Sequence, residues 1–356
     1  MMPPPYHLRL NKAVDRFMLV DILRCFTKTE LKKYRYLGLG GPFLEDIKLL
    51  DSFFPSLRTI SFEANDQIFR RQKFNRPTRL VRLEYGDMIT KIEEYSNGNN
   101  PLIVWYDSTQ ATNEIFDGFI SLLGHVSNRS IVRVTMRIAR REVPPEKKLM
   151  MSLTSALRTR ISGLACAKAE RLALEQDVER IVKEQIEDLT AQKSELDSIS
   201  RYLPSNYKQL LNEENGLLRV LFKAIHRAVV EVFPSGCGRT FRLLNASYYS
   251  DNTKMLSVTG AVLSDFEEDI FMKRFKGTVF ESAKWDSTPM EIDMPILTPK
   301  ERLCLNAIMP VCRDPGKRLC KKLGFEIDTK PGKSESEMEM YNKYYRYYPM
   351  FAKVAL

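Results

Sequence analysis

The chain has 356 residues, of which 44% are hydrophobic and 28% are charged. This balance is typical of a folded, water-soluble protein and excludes a disordered or fibrous chain, while the length excludes a small scaffold held together only by disulfides or metals. The formal net charge of +10 is compatible with a polyanionic partner. The apolar runs are shorter than the ~20 residues of a membrane-spanning helix, so we expect no membrane association.

The sequence also bears on the location and the metal content of the protein. The amino-terminal sequence Met-Met-Pro-Pro-Pro lacks a basic segment followed by an apolar stretch, so we expect no secretory signal and a cytoplasmic location. The six cysteines include no C-x-x-C pair, and the histidines are far apart in sequence. We therefore expect free thiols and no metal site.

The first half of the chain alternates between helical and strand patterns. Apolar residues at helical spacing predict a helix over 12–25, followed by a strand over 36–39, a glycine-rich turn, and a helix that begins near Pro42. Four further β-branched runs predict strands over 58–62, 80–83, 102–106 and 130–136. Strands that alternate with helices indicate βαβ units and a parallel sheet.

The second half of the chain has a different composition and a different pattern of predicted elements. Residues 147–200 have the composition of a long exposed helix or helix pair, which we interpret as an insertion. Two strand runs, 239–247 and 254–263, flank a polar turn and predict an antiparallel hairpin. Three helices are expected in the tail: one capped by Thr298, one from Pro315 to Gly324, and one capped by Ser334 that runs to about Tyr348.

Glycines and carboxylates fall where the predicted strands end. Gly38, Gly40 and Gly41 follow the first strand, Glu63 ends the second, Asp87 follows the third and Asp107 ends the fourth. Ligands of open α/β sheets bind beyond the carboxyl ends of the strands. There, glycines let the backbone approach a ligand, a carboxylate on the second strand can accept both hydroxyls of a ribose, and Asp87 can accept an adenine amino group. The alternative is a plain tight turn with solvated carboxylates.

These motifs, in this order and followed by a hairpin, resemble the class I S-adenosylmethionine (SAM) dependent methyltransferases. The Gly-Leu-Gly-Gly-Pro and Asp-x-Thr patterns are similar to those of divergent bacterial O-methyltransferase-like proteins, some of them encoded near phage-defence genes. The resemblance implies a Rossmann-like α/β fold with a seven-stranded sheet and a carboxyl-terminal antiparallel hairpin. It also implies SAM as cofactor, bound by Gly38, Gly40, Gly41, Glu63 and Asp87, with Asp107 facing the transferred methyl group or the substrate.

The sequence departs from that family pattern at two positions. Tyr36 stands where the family has an acid, and Pro42 stands at the third glycine. No Asn-Pro-Pro-Tyr motif follows the fourth strand, which argues against methylation of an exocyclic base nitrogen, and Phe43 argues against a nicotinamide site. We therefore expect methyl transfer to an oxygen of an unknown substrate. The alternative is a catalytically silent subunit that binds SAM, a nucleotide or RNA within a larger, antiviral-defence assembly.

The expected organisation is a helical segment over 1–33, a methyltransferase-like domain over 34–146 and 201–265, an acidic insertion over 147–200 and an extension over 266–356.

Residues 126–161 hold nine basic and two acidic residues. At the end of the fifth strand, Arg137, Arg140 and Arg141 are candidates for binding nucleic acid. The alternative is that this cluster of charges is a solvated edge of the protein without a partner.

Two further segments leave alternatives open. Residues 168–197 hold nine acidic and five basic residues around an apolar stripe, which suits either a partner-binding arm for another protein or a second copy, or an internal helical hairpin. The aromatic and cationic residues of 341–348 suit either base stacking or the docking of a helix onto the body of the protein.

Overall fold

The structure, a computed structural model, describes residues 9–96, 100–108, 110–138, 196–330 and 332–349. Within these residues one mixed sheet contains eight strands: β1 (Arg35–Gly38), β2 (Arg58–Glu63), β3 (Arg82–Tyr85), β4 (Leu102–Asp107), β5 (Ile131–Arg137), β6 (Arg239–Ser250), β7 (Lys254–Ser264) and β8 (Met290–Ile292). The strand order is β3-β2-β1-β4-β5-β7-β6-β8. The predicted α/β class is confirmed.

The sheet is parallel over its first five strands, and β6 and β7 form the predicted antiparallel hairpin. The expected count of seven strands is short by one. The additional strand, β8, pairs in parallel with β6 and comes from the predicted carboxyl-terminal extension. The strand order reverses between β1 and β4, and a reversal of this kind opens a crevice at the carboxyl ends of the strands.

Helices alternate with the first five strands along the chain. The described α-helices are α1 (Leu10–Arg24), α2 (Lys28–Leu31), α3 (Glu45–Phe53), α4 (Asp66–Asn75), α5 (Met88–Ser96), α6 (Asn113–His125), α7 (Tyr207–Leu211), α8 (Gly216–Val232), α9 (Glu268–Met272), α10 (Pro299–Asn306), α11 (Pro315–Leu323) and α12 (Lys333–Tyr344). Short 3₁₀ turns cover Ser200–Tyr202, Lys273–Phe275 and Tyr345–Tyr347. No helix among these is long and apolar enough to cross a bilayer.

Two predicted helix starts are confirmed and two are wrong. Thr298 forms its capping box, and α11 follows Asp314 and ends at the left-handed Gly324. The helix predicted near Pro42 begins instead at Glu45, because Gly41 and Leu44 both have left-handed backbones that a helix does not allow. Ser334 does not cap α12, since its hydroxyl accepts the backbone N–H of Asp328.

The described chain divides into two compact units. The larger contains Met1–Asp107, His125–Thr135 and Gly238–Leu356, and therefore nearly all of the sheet. Among the described residues, α1 contributes to two hydrophobic clusters of its core: Leu19 and Ile22 belong to one, Val14 and Met18 to the other. Because α1 packs into both clusters, the polar residues on this helix are held in fixed positions.

The smaller unit contains Ser108–Gly124 and Met136–Cys237. Within it, the ring of Phe116 stacks on Tyr202 at 4.8 Å, and the Tyr202 hydroxyl donates to Asp117 at 2.5 Å. Most of the predicted acidic insertion, up to residue 195, lies outside the described residues.

The carboxyl-terminal tyrosines support docking of the tail onto the body. Tyr341, Tyr344 and Tyr348 are buried in the core of the larger unit. The ring of Tyr347 stacks on Phe17 of α1 at 4.8 Å, and its hydroxyl donates to Asp21. Three of these rings are therefore inaccessible as base-stacking surfaces, which favours the docking interpretation of 341–348.

Candidate functional site

A cavity of about 150 Å³ lies at the carboxyl ends of β1, β2 and β4. Four of the predicted site residues line it: Gly40, Gly41, Glu63 and Asp107. The lining also includes Lys12 and Arg16 of α1, together with residues of the β1–α3 loop and the start of α3: Leu39, Pro42, Phe43, Glu45 and Asp46. The structure thus brings together residues from four separate parts of the chain.

The glycines of the β1–α3 loop are required for different reasons. Gly41 has a φ of +54°, and a Cβ added there would meet no atom within 4 Å, so its backbone faces open space. At Gly40 a Cβ would lie 2.5 Å from a Leu44 methyl carbon and 2.7 Å from the Ser61 hydroxyl. Gly40 is therefore required by packing, whereas Gly41 is required by its left-handed conformation.

Hydrogen bonds that involve residues of α4 fix the β1–α3 loop. The Gly40 N–H donates to the Ser61 hydroxyl at 3.1 Å, and this hydroxyl donates in turn to Gln72 at 3.3 Å. The Asn75 side-chain amide donates to the Pro42 carbonyl at 2.8 Å. These contacts, which sequence reasoning missed, fix the loop although Pro42 replaces a glycine.

Glu63 and Asp87 already accept local backbone hydrogen bonds. Glu63 Oε1 accepts the N–H of Asn65 at 2.9 Å. Asp87 is exposed, does not line the cavity, and caps α5: its Oδ1 accepts the N–H groups of Ile89 at 2.8 Å and Thr90 at 3.1 Å. Burial, and to a smaller extent the charge of Asp87, raises the pKa of Tyr106 to about 12. Each carboxylate keeps its second oxygen for another donor.

Gly38 likewise lies outside the cavity lining. A Cβ at Gly38 would lie 2.4 Å from the hydroxyl of Tyr36, which is itself buried. Tyr36 therefore packs beneath the start of the loop.

Asp107 forms an ion pair with a residue that sequence reasoning did not identify. Lys12 Nζ lies 3.1 Å from Asp107 Oδ2, and the two side chains are 9% and 20% exposed. Burial lowers the pKa of Lys12, but attraction by Asp107 and Asp46 outweighs it, so the pKa lies above its ordinary value. Lys12 is therefore a fixed positive charge at neutral pH.

A second ion pair, between Arg16 and Asp46, lies one helical turn along α1 and is also buried. The amino end of α1 is fixed by Asp251, whose carboxylate accepts the N–H groups of Asn11 and Lys12 at 3.0 Å. Lys12 and Arg16 lie away from the apolar stripe of the predicted helix, so periodicity gave no signal for them, whereas the structure buries both beside carboxylates, as buried charges require.

The cavity lining is net negative. It contains the acids Glu45, Asp46, Glu63 and Asp107 against the bases Lys12 and Arg16. Within this lining, Lys12 pairs with Asp107 and Arg16 pairs with Asp46. A lining with four acids and two bases suits a ligand with a net positive charge.

The predicted basic cluster is only partly accessible. Arg137 is exposed at the carboxyl end of β5, whereas Arg140 and Arg141 lie outside the described residues. Arg133, counted in the same cluster, is completely buried and paired with Asp15. Arg129 precedes β5 and pairs with Glu267 at 2.7 Å. Both contribute to the sequence charge but not to a surface at the carboxyl end of β5.

The sequence matches the profile of a protein family described as "Putative O-methyltransferase" over residues 4–356, and no curated protein matches it. Among solved structures, it is similar to a putative caffeoyl-CoA O-methyltransferase from Staphylococcus aureus, with 12% identity and a TM-score of 0.31 over 69% of this chain and 83% of that one.

Two further similar structures are described as complexes with S-adenosylhomocysteine (SAH). The plantazolicin methyltransferase BamL shows 11% identity and a TM-score of 0.33 over 70% of this chain and 88% of that one. LepI shows 10% identity and a TM-score of 0.36 over 74% of this chain and 49% of that one, so this chain spans about half the length of LepI.

Proposed function

Because the chain belongs to the family described as "Putative O-methyltransferase", we propose that it transfers the methyl group of SAM to an oxygen atom of its substrate. The observation that carries this proposal is the cavity at the carboxyl ends of β1, β2 and β4. Its lining includes the left-handed Gly41 together with Glu63 and Asp107. Asp107 is the residue proposed to lie beside the reacting group.

The charges of the cavity fit SAM, which has one carboxylate, one ammonium and one sulfonium group. Arg16 is the proposed partner of the carboxylate, and Asp46 that of the ammonium. The Gly41 backbone lies beneath the methionine part, and Glu63 accepts the ribose hydroxyls. Asp87 Oδ2, beyond the cavity, accepts the adenine amino group. When bound, SAM supplies an electrophilic methyl group.

The volume of the cavity agrees with this division. Small-molecule sites commonly enclose ~300 Å³ or more, whereas the cavity encloses about 150 Å³. The cavity is therefore assigned to part of SAM only, the methionine and ribose, and the adenine is placed beside the exposed Asp87.

The experiment is ligand-dependent thermal unfolding. SAM and SAH are expected to raise the melting temperature and NAD is not. Glu63→Ala should abolish the shift, because it removes the acceptor of the ribose hydroxyls, while the exposed Glu94→Ala should retain it. Equal responses to all three ligands, or no response of the unmodified protein, would contradict a SAM site.

A catalytically silent SAM-binding subunit is the second candidate. Tyr36 and Pro42, at the positions of the acid and the third glycine, favour it. The two candidates differ in turnover: incubation with [methyl-³H]SAM and a cell extract should label an acceptor and release SAH if the protein is an enzyme. Bound SAM that is carried through purification unchanged, with no labelled acceptor, would favour the silent subunit.

We also propose that the substrate is a nucleic acid, with Arg137, Arg140 and Arg141 as its phosphate contacts, and that the acidic insertion binds another protein or a second copy. The first proposal is supported by the exposure of Arg137 and the net charge. The second is supported by the apolar stripe alone; Val178→Glu with Ile181→Glu should then shift the assembly toward monomer in light scattering, without loss of soluble protein.

A further inference from the structure

The ion pair between Lys12 and Asp107 has a chemical consequence for the group that accepts the methyl group. We propose that Lys12 is a second catalytic residue, and that together with Asp107 it makes the site specific for a hydroxyl group. The inference rests on the proposed function, because it concerns the same cavity, but it can fail while that function stands.

The geometry places both charges at one point of the cavity. Lys12 Nζ and Asp107 Oδ2 are 3.1 Å apart, and both residues line the cavity together with Gly41. The backbone of Lys12 is fixed by Asp251, and Asp107 ends β4, in register with Thr135 of β5. Neither charge is carried by a mobile surface side chain, since the two side chains are 9% and 20% exposed.

The two residues have separate tasks. Lys12 holds its proton, because its pKa is raised by the neighbouring carboxylates, so it acts as a fixed positive charge and not as a base. Asp107 is the proton acceptor of the pair. An acceptor hydroxyl beside this pair would donate its hydrogen to the Asp107 carboxylate and place its oxygen near the Lys12 ammonium.

The transfer step balances with these two residues alone. The hydroxyl oxygen forms its bond to the methyl carbon while its proton passes to Asp107, and the electron pair of the broken carbon–sulfur bond stays on sulfur, which gives SAH. Asp107 then releases the proton to water. Lys12 stabilises the negative charge that develops on the oxygen, and its own protonation does not change.

The pair also discriminates against other acceptors. An amine becomes more positive as it is methylated, and the fixed charge of Lys12 opposes that change. A carboxylate acceptor is attracted by Lys12 but repelled by Asp107, and because it needs no base it gains nothing from the pair. A hydroxyl, which must lose a proton and gains negative charge, is the acceptor that benefits from both residues.

The test uses two ligands that differ at the methyl position. SAH carries nothing there, whereas the SAM analogue sinefungin carries a protonated amine. Isothermal titration calorimetry gives the Kd of each, and the ratio Kd(SAH)/Kd(sinefungin) reports the charge around the methyl position independently of overall affinity and of any methyl transfer.

Lys12→Met should raise this ratio by about tenfold, because it removes a repelling charge a few ångströms from the amine. Asp107→Asn should lower it by a similar factor. Lys12→Arg, which keeps the charge, should leave it unchanged. A ratio that does not respond to Lys12→Met would overturn the inference.

Lys12→Met leaves the partly buried Asp107 unpaired and can prevent folding. The Lys12→Met/Asp107→Asn variant removes both charges together, and its ratio should exceed that of Asp107→Asn alone; equal ratios would overturn the inference. Arg16→Met is the matched control, since it removes a cation from the same helix and cavity. It should weaken both ligands equally. If the unmodified protein binds neither ligand, the proposed function fails instead.

Discussion

Asp15 and Arg133 form an ion pair in which neither side chain is accessible to solvent, with 2.5 Å between the guanidinium and the carboxylate. The carboxylate also accepts the hydroxyls of Ser247 and Ser257 at 3.2 Å. Arg133 donates to Thr259 at 3.1 Å and lies over the ring of Trp105. This network connects α1 to the central strands, and therefore positions the helix that carries Lys12 and Arg16.

Asp15→Asn is expected to destabilise the protein by about 3–5 kcal/mol, because it leaves a buried guanidinium without a compensating charge. The measurement is urea unfolding followed by circular dichroism. In the Asp15→Leu/Arg133→Met variant much of the loss should be recovered, since both charges are then absent. The exposed Asp66–Arg70 pair is the control: Asp66→Asn should cost about 0.5 kcal/mol. Equal effects of Asp15→Asn and Asp66→Asn would refute the buried pair.

The stability of the protein is expected to fall in acid, in part through Glu267. The hydroxyl of Ser264 and then the guanidinium of Arg129 hold the pKa of Glu267 below its ordinary value of 4.5. A carboxyl whose pKa is lower in the folded state stabilises it above the unfolded pKa, and this contribution is lost as pH falls through the folded pKa.

Glu267→Gln should therefore reduce the slope of unfolding free energy against pH below about pH 5. Urea titrations at a series of pH values measure that slope. The exposed Glu94→Gln is the control, because it removes one carboxylate without removing either of these hydrogen bonds. If both variants give the same slope, the assignment to Glu267 is incorrect.

Strand-end residues were predictable from the sequence, because the position of a residue at the end of a strand follows from a local pattern. Gly40, Gly41, Glu63 and Asp107 line one cavity for that reason. Lys12 is 95 residues from Asp107 along the chain, and no local pattern specifies which carboxylate a lysine meets. Asp251, which caps α1 from a distant turn, is hidden in the same way.

Counting charges along the sequence did not predict which basic residues are exposed, and the physical reason is a different one. Arg133 adds to the positive charge of its segment, but both faces of β5 are covered as far as Met136, and its partner Asp15 lies inside the protein as well. Surface charge depends on which face of a strand is covered, and this is decided by packing. The sequence likewise misplaced the start of α3, because the left-handed conformation of Leu44 is set by the folded loop.

Binding of RNA or DNA is expected to weaken steeply with salt, because phosphate contacts release counterions. Replacing Arg137, Arg140 and Arg141 by alanine should lower the affinity and reduce the slope of log K against log salt by about 1 per arginine. Fluorescence anisotropy with a labelled oligonucleotide measures both. Arg58→Ala, an exposed arginine at the start of β2, is the control. Salt-independent binding, or none at low salt, would reject a polyanion partner.

The most direct test of the glycine loop concerns Asn75, whose amide donates to the Pro42 carbonyl at 2.8 Å. Asn75→Asp replaces this donor by a carboxylate that faces a carbonyl oxygen, so the loop must move. The Kd for SAH should rise at least about tenfold, which corresponds to ~1.4 kcal/mol. Asn75→Ala removes the hydrogen bond without repulsion and should have a smaller effect, near ~1 kcal/mol.

The matched control is Gln67→Glu, which introduces the same negative charge at an exposed position of the same helix. It should leave the Kd unchanged. Adenosine, which lacks the methionine part of the ligand, provides a second comparison: its Kd should respond less than that of SAH, because the loop is proposed to lie beneath the methionine. If Asn75→Asp and Gln67→Glu bind SAH equally well, α4 does not position the loop, and Pro42 must be accommodated by the loop itself.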